Sequence, residues 1–111
     1  MRNIIKLPTV LVALITAQNE HNSQAFAEVF TNDALVHDEG KDYSGKAAIK
    51  AWNEATNKKY NTRLEPEAMR EKGAEIILTV LVSGTFEGSP ITLEYHFRIK
   101  DSKIIYLNIT G

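Results

Sequence analysis

Apolar positions recur at helical spacing through the first half of the chain and alternate through the second. Val10, Leu11, Leu14 and Ile15 stand at i, i+1, i+4 and i+5, with Val12 and Ala13 widening the stripe. This pattern predicts a first helix from about Pro8 to Glu20, with Pro8 in the first turn, where a missing N–H is harmless. Met1-Arg2-Asn3-Ile4-Ile5-Lys6 and the apolar run behind it also fit a secretory signal, although the run is too short to span a bilayer. The helix is the reading adopted, because the rest of the domain needs it. Asn22 or Ser23 caps a short second helix, Gln24 to Phe30, with Phe26, Val29 and Phe30 on one face. Asn32-Asp33 breaks it, Ala34 to Asp38 reads as a short strand, and Gly40 to Gly45 as a loop. Ile49, Trp52, Thr56 and Tyr60 mark a third helix over Lys46 to Tyr60.

Beyond Tyr60 the period becomes two. Thr62 to Arg70 is a weak strand whose Pro66 suggests an edge or a bulge. Glu75 to Glu87 is a long strand, with Ile76, Leu78, Val80, Val82 and Phe86 on one face. Ile91 to Lys100 follows, with Leu93, Tyr95, Phe97 and Ile99 aligned. Asp101-Ser102 makes a tight turn, and Lys103 to Thr110 closes the sheet with Ile105, Leu107 and Ile109 on one side. No repeat, low-complexity segment or linker interrupts residues 1–111, which read as a single domain. Helices followed by a run of antiparallel strands predict an α+β fold. A strongly twisted sheet can wrap the helices and leave a pocket between the layers.

Composition narrows the function classes. With 13 basic and 14 acidic residues the net charge is −1, so no charge excess drives binding to nucleic acid or an anionic membrane. The absence of cysteine removes disulfides, thiolate metal sites and cysteine nucleophiles. His21, His37 and His96 lack the close pairing of a zinc motif, so neither a metal nor another cofactor is expected. No phosphate-binding glycine loop or nucleophile elbow is present. A cytoplasmic protein with neither nucleic-acid nor membrane partner is the expectation.

Phe30-Thr31-Asn32-Asp33-Ala34, a strand, and then Tyr43-Ser44-Gly45-Lys46-Ala47-Ala48-Ile49-Lys50-Ala51-Trp52 resemble the signature of the nuclear-transport-factor-2-like superfamily. Within it, the SnoaL-like branch includes polyketide cyclases, and the relatives include bacterial ketosteroid isomerases. The hairpin Tyr95 to Ile105 resembles the last two strands of that family. The resemblance implies a cystatin-like architecture, in which three N-terminal helices pack on a curved, mostly antiparallel sheet to form a cone with an internal pocket. It also implies a homodimer through the outer sheet face. The proton-shuttling aspartate of the isomerases falls on Asp38, their oxyanion-binding tyrosine on Leu14, and their protonated acid on Tyr95. One position thus matches, one is lost and one carries a different donor, which argues against ketosteroid isomerisation itself.

The residues then suggest their own chemistry. A carboxylate in a dry pocket becomes a better base near neutral pH. Enolisation further needs a donor where oxygen gains charge, and Tyr95 shares the face of Leu93 and Phe97. Asp38 and Tyr95 are therefore the candidate catalytic pair, with Leu14, Val36, Trp52, Phe97 and Leu107 as candidate pocket lining. Strand alternation sets His37 opposite Asp38, and His96 opposite Tyr95. The expected role is proton transfer on a small apolar carbonyl compound. The alternatives are a non-catalytic binder of a small hydrophobic ligand, or a dimeric interaction module with a vestigial pocket.

Overall fold

A computed structural model describes residues 6–111, so Met1 to Ile5 of the signal-like segment lie outside the described residues. The chain runs α1 (Thr9–Asn19), α2 (Ser23–Glu28), β1 (Phe30–Asp38), β2 (Lys41–Ser44), α3 (Lys46–Tyr60), β3 (Arg63–Lys72), β4 (Glu75–Ser83), β5 (Ile91–Lys100) and β6 (Lys103–Thr110). The architecture is α+β, with three helices packed on a curved sheet of order β2-β1-β6-β5-β4-β3. Every pairing is antiparallel except β1 with β6, which is parallel.

Apolar periodicity explains the helix placement, with local corrections. Leu11, Leu14, Ile15 and Ala17 of α1 are buried, whereas Val12 and Ala13, expected to widen the apolar stripe, face solvent. Pro8 stands just outside α1, and its carbonyl accepts the N–H groups of Leu11 and Val12 at 3.0 and 3.1 Å. Asn22 caps α2 by accepting the Ala25 N–H at 3.0 Å. Phe30 then opens β1 instead of closing the helix. Helix α3 ends at Asn61 in the left-handed region. Gln18, Asn53 and Asn57 close a ring of amide hydrogen bonds between α1 and α3, and Ser23 donates to Asn53 at 2.6 Å. Such a satisfied polar network fixes one docking of the helices.

The stretch read as a loop at 40–45 holds β2, which forms a hairpin with β1 through Glu39 and Gly40, at φ 53° and 76°. Two positive φ values are what a two-residue hairpin turn requires. Asp101 and Ser102 do the same between β5 and β6, at φ 52° and 64°. Pro66 lies both on an edge strand and at a bulge, since β3 ends the sheet and its register shifts between Pro66 and Ala68. Strand β4 stops at Ser83, short of the Glu87 expected, because the chain leaves the sheet to meet the end of α3. There Thr85 donates to the Tyr60 carbonyl at 2.7 Å, and a Cβ on Gly84 would sit 2.4 Å from that same oxygen. Phe86, expected on the β4 face, packs instead edge-on against Tyr60. A register shift between Arg98 and Ile99 leaves Ile105 unpaired, so Ile104, not Ile105, is the fully buried residue there.

The core lies between the helices and the inner sheet face. Leu78, Val80, Phe97 and Leu107 meet Leu11, Leu14, Phe26 and Ile49, all at 0–2% exposure. Each such side chain contributes roughly 1.5–3 kcal/mol by burial. Among the described residues no helix is long and apolar enough to cross a membrane.

Candidate functional site

The last β1–β6 pair is His37 with Asn108, and on β6 the next residue, Ile109, pairs with Tyr95 of β5. Asp38 and Tyr95 therefore share one cross-sheet row, two strands apart, with Ile109 between them. The burial of Ala34 and Val36 against partly exposed Leu35 puts this parity of β1 toward the helices. Adjacent strands lie about 4.8 Å apart, so the two side chains bridge a gap of about 10 Å between backbones.

Asp38 is half-buried, and burial is the main reason its carboxyl is held above the usual carboxylate range; the neighbouring charge of Glu39 adds to this. The Trp52 side chain, the electrostatic influence of His37 and the Glu39 backbone N–H pull the other way. Among the described residues no lysine or arginine pairs with Asp38. Tyr95 is 7% exposed. Burial first, and the Asp38 charge second, push its hydroxyl far above the ordinary tyrosine value. The hydroxyl thus stays protonated and keeps its proton to donate, while the carboxylate it senses can accept.

Trp52 of α3 closes the site from the helix side. Its indole stacks on Tyr43 at 5.5 Å and 28° and leans on Phe26 at 6.0 Å and 55°. Tyr43 comes from β2, where it pairs with Val36. The other four residues expected to line a pocket sit deeper. Leu14, Val36, Phe97 and Leu107 have 0% accessible surface, so they form packed floor and touch no space that a water molecule could enter. A groove of about 610 Å³ does open elsewhere, where the α1–α2 turn meets α3, lined by Glu20, His21, Ser23, Lys50, Glu54 and Asn57. No expected site residue lines it.

The outer sheet face carries His37 and His96. His37 and Asp42 form a cross-strand dyad, Nδ1 to Oδ1, at 2.5 Å. A histidine–aspartate dyad thus exists, but with Asp42 of the unanticipated β2 and not with Asp38. His96 lies 3.1 Å from Thr110 Oγ1 and 3.7 Å from Glu75. His21, at φ 53°, lies 2.9 Å from the Thr62 carbonyl through its Nε2. Among the described residues no three histidine, aspartate or glutamate side chains are grouped to hold a metal. Sequence reasoning missed Tyr43 as the stacking partner of Trp52. The signal available was the aromatic residue next to Ser44-Gly45, just ahead of α3.

A curved sheet packed by three helices, with an aspartate and a buried tyrosine on its inner face, defines a class of small α+β protein. The chain belongs to the SnoaL-like domain family, which it matches over residues 11–107. It is similar to a candidate polyketide cyclase from Sinorhizobium meliloti, with 36% identity, 94% and 95% of the two chains covered and a TM-score of 0.89. At 18% identity it shares the fold of a Catenulispora acidiphila protein with a ketosteroid isomerase-like fold, solved with trimethylamine (96% and 87% covered, TM-score 0.84). At 19% identity it shares the fold of an epoxide hydrolase/cyclase-like enzyme of pyran ring formation in salinomycin (91% and 86% covered, TM-score 0.74). No curated protein matches it.

Proposed function

We propose that the protein is a proton-transfer enzyme of the isomerase or cyclase kind, acting on a small, largely apolar carbonyl compound. The observation that carries this reading is the pairing on one inner row of an aspartate without a basic partner and a tyrosine that feels its charge. In this reading Asp38 removes a proton from the carbon beside the carbonyl. Its raised proton affinity brings it closer to a useful base at neutral pH. Tyr95 donates to the carbonyl oxygen as charge builds there. Leu14 supplies no donor, so Tyr95 is the main polar handle opposite the base. The similarity to a candidate polyketide cyclase supports chemistry of this kind. A homodimer through the outer sheet face belongs to the same proposal.

The test is deuterium exchange at the α-carbon of small cyclic ketones and β-keto esters in D₂O, followed by proton NMR. The expected result is exchange above the buffer rate with the native chain and none above it with Asp38→Asn. Equal exchange in both would remove the assignment of Asp38 as base.

One observation favours a second reading, an interaction module whose inner face is filled. Leu14, Val36, Phe97 and Leu107 leave no water-sized space around them. Under that reading neither saturable ligand binding nor exchange is found, while self-association persists.

A further inference from the structure

We infer that the groove between the α1–α2 turn and α3 is a second binding site, suited to a small organic ammonium with several N–H donors, a diamine or polyamine. It shares no residue with the inner sheet row of Asp38 and Tyr95.

One backbone oxygen sets the polarity of the groove floor. The Thr62 carbonyl can only accept, and it meets Gln18 Nε2 at 3.0 Å and His21 Nε2 at 2.9 Å. Gln18 therefore turns its amide nitrogen toward Thr62 and Asn57, and its oxygen receives Asn53 Nδ2 at 2.7 Å. Asn53 is left to face Ser23 with its own oxygen, which also takes an N–H from Asn57 at 3.0 Å. Ser23 then has to donate to that oxygen, at 2.6 Å, so the Ser23 oxygen keeps only lone pairs for the groove. Gln18, Asn53 and Ser23 are 4%, 2% and 8% exposed, too enclosed to reverse these directions by exchange with water.

His21 is polarised by the same carbonyl. Its Nε2 must carry the hydrogen, so in the neutral ring Nδ1 offers a lone pair. Helix α3 supplies the opposite wall, with Lys50, Glu54 and Asn57 at i, i+4 and i+7 on one stripe. Glu20 and Glu54 are exposed and, among the described residues, neither enters an ion pair. The capacity left unused is thus His21 Nδ1, Ser23 Oγ and the carboxylates of Glu20 and Glu54, all acceptors. Against them stand only the Lys50 ammonium and the second N–H of Asn57. An anion would meet both carboxylates, and a neutral polyol would leave their charge unanswered. A compact cation with N–H groups at both ends serves acceptors on both walls, and about 610 Å³ falls within the range of small-ligand sites. Lys50, one turn from Glu54, opposes such a cation by its own charge.

The experiment titrates the full chain with putrescine, and separately with its permethylated bis-quaternary analogue, following the backbone and side-chain amide ¹H–¹⁵N peaks. Putrescine is expected to move the peaks of residues 20–24 and 50–57, and the side-chain amides of Asn53 and Asn57, with one saturable midpoint. The analogue has equal charge and no N–H, and is expected to bind at least about tenfold more weakly. Glu54→Gln, at an exposed position, is expected to weaken putrescine by about tenfold. His21→Asn, a residue that tolerates left-handed backbone at φ 53°, is expected to weaken it by a similar factor. Lys50→Gln is expected to strengthen it by about two- to fivefold, because a like charge has gone. Putrescine shifts that do not saturate or that spread over other acidic surface residues overturn the inference. So do equal binding of the analogue and an unchanged affinity in Glu54→Gln.

Discussion

Asp38 is a residue that the fold holds at some cost to itself. Its proton affinity in the folded protein is raised above the unfolded value of 3.8, chiefly by burial. Its contribution to stability is therefore fully present below about pH 3.8 and is lost as pH rises through the raised folded value. Asp38→Asn keeps a carbonyl acceptor at this position while deleting the buried charge. That variant is expected to melt above the native chain at pH 7 and level with it near pH 3, which thermal melts at the two pH values would check. Equal melting at pH 7 would mean that burial does not govern this group. Tyr95→Phe behaves differently, because the hydroxyl it removes is neutral at both pH values. Its expected signature is an intact melt with proton exchange reduced by about 10²–10³-fold, the usual loss when one oxyanion donor is deleted.

Elements bring these residues together, and the turns between elements are where substitution has a simple sign. Ser102 sits at φ 64°, where a side chain other than glycine is strained. Ser102→Gly is expected to stabilise the β5–β6 hairpin by about 0.5–1 kcal/mol, read as a higher melting temperature. Gly84→Ala goes the other way, since the new Cβ would collide with the Tyr60 carbonyl. Helix α3 and strand β5 could be read from the chain to the residue, because each has an uninterrupted apolar period and a turn at its end. Strand β2 could not: four residues, three of them exposed, carry no period, and only its pairing with β1 makes it a strand. The bulge at Ile105 was equally hidden, because Ile104 and Ile105 are indistinguishable to a pattern of apolar positions. At the site, Leu35 and Val36 are equally apolar, so the phase of Asp38 came from the resemblance and not from alternation. The stacking of Trp52 on Tyr43 joins α3 to a strand that carries no apolar period, and spacing along a helix does not encode that.

On the scale of the whole molecule, the outer sheet face is the surface left to explain. Ile77, Thr79, Leu81 and Ser83 lie on the second face of β4, and His37, Asn108 and His96 form a row across β1, β6 and β5. The side-chain oxygen of Asn108 is buried with no hydrogen-bond partner among the described residues, a state that native proteins usually relieve. A symmetric second copy on this face would cover the partly exposed Leu81, whereas Ile77 is already buried within the chain at 2% exposure. Light scattering at micromolar concentration is expected to give twice the 12.4 kDa chain mass. Leu81→Arg is expected to return the mass to that of one chain, because like charges would meet across the two-fold axis. A native chain that scatters as a monomer would dispose of the dimer.

The parallel joining of β1 to β6 sets an order of events in folding. Strand β1 lies between its own hairpin partner and a strand more than sixty residues further along. Its inner row, with Asp38, stays open on one side until residues 103–110 have been made and have threaded between β1 and β5. Closing so long a loop is slow compared with forming the β3–β4 or β5–β6 hairpins. The hairpins can therefore accumulate early, each with exposed apolar faces and unpaired edges, and wait for the last strand. Chaperone dependence and aggregation during synthesis should then respond to changes in β6 far more than to changes in β3, although both strands hold similar numbers of residues.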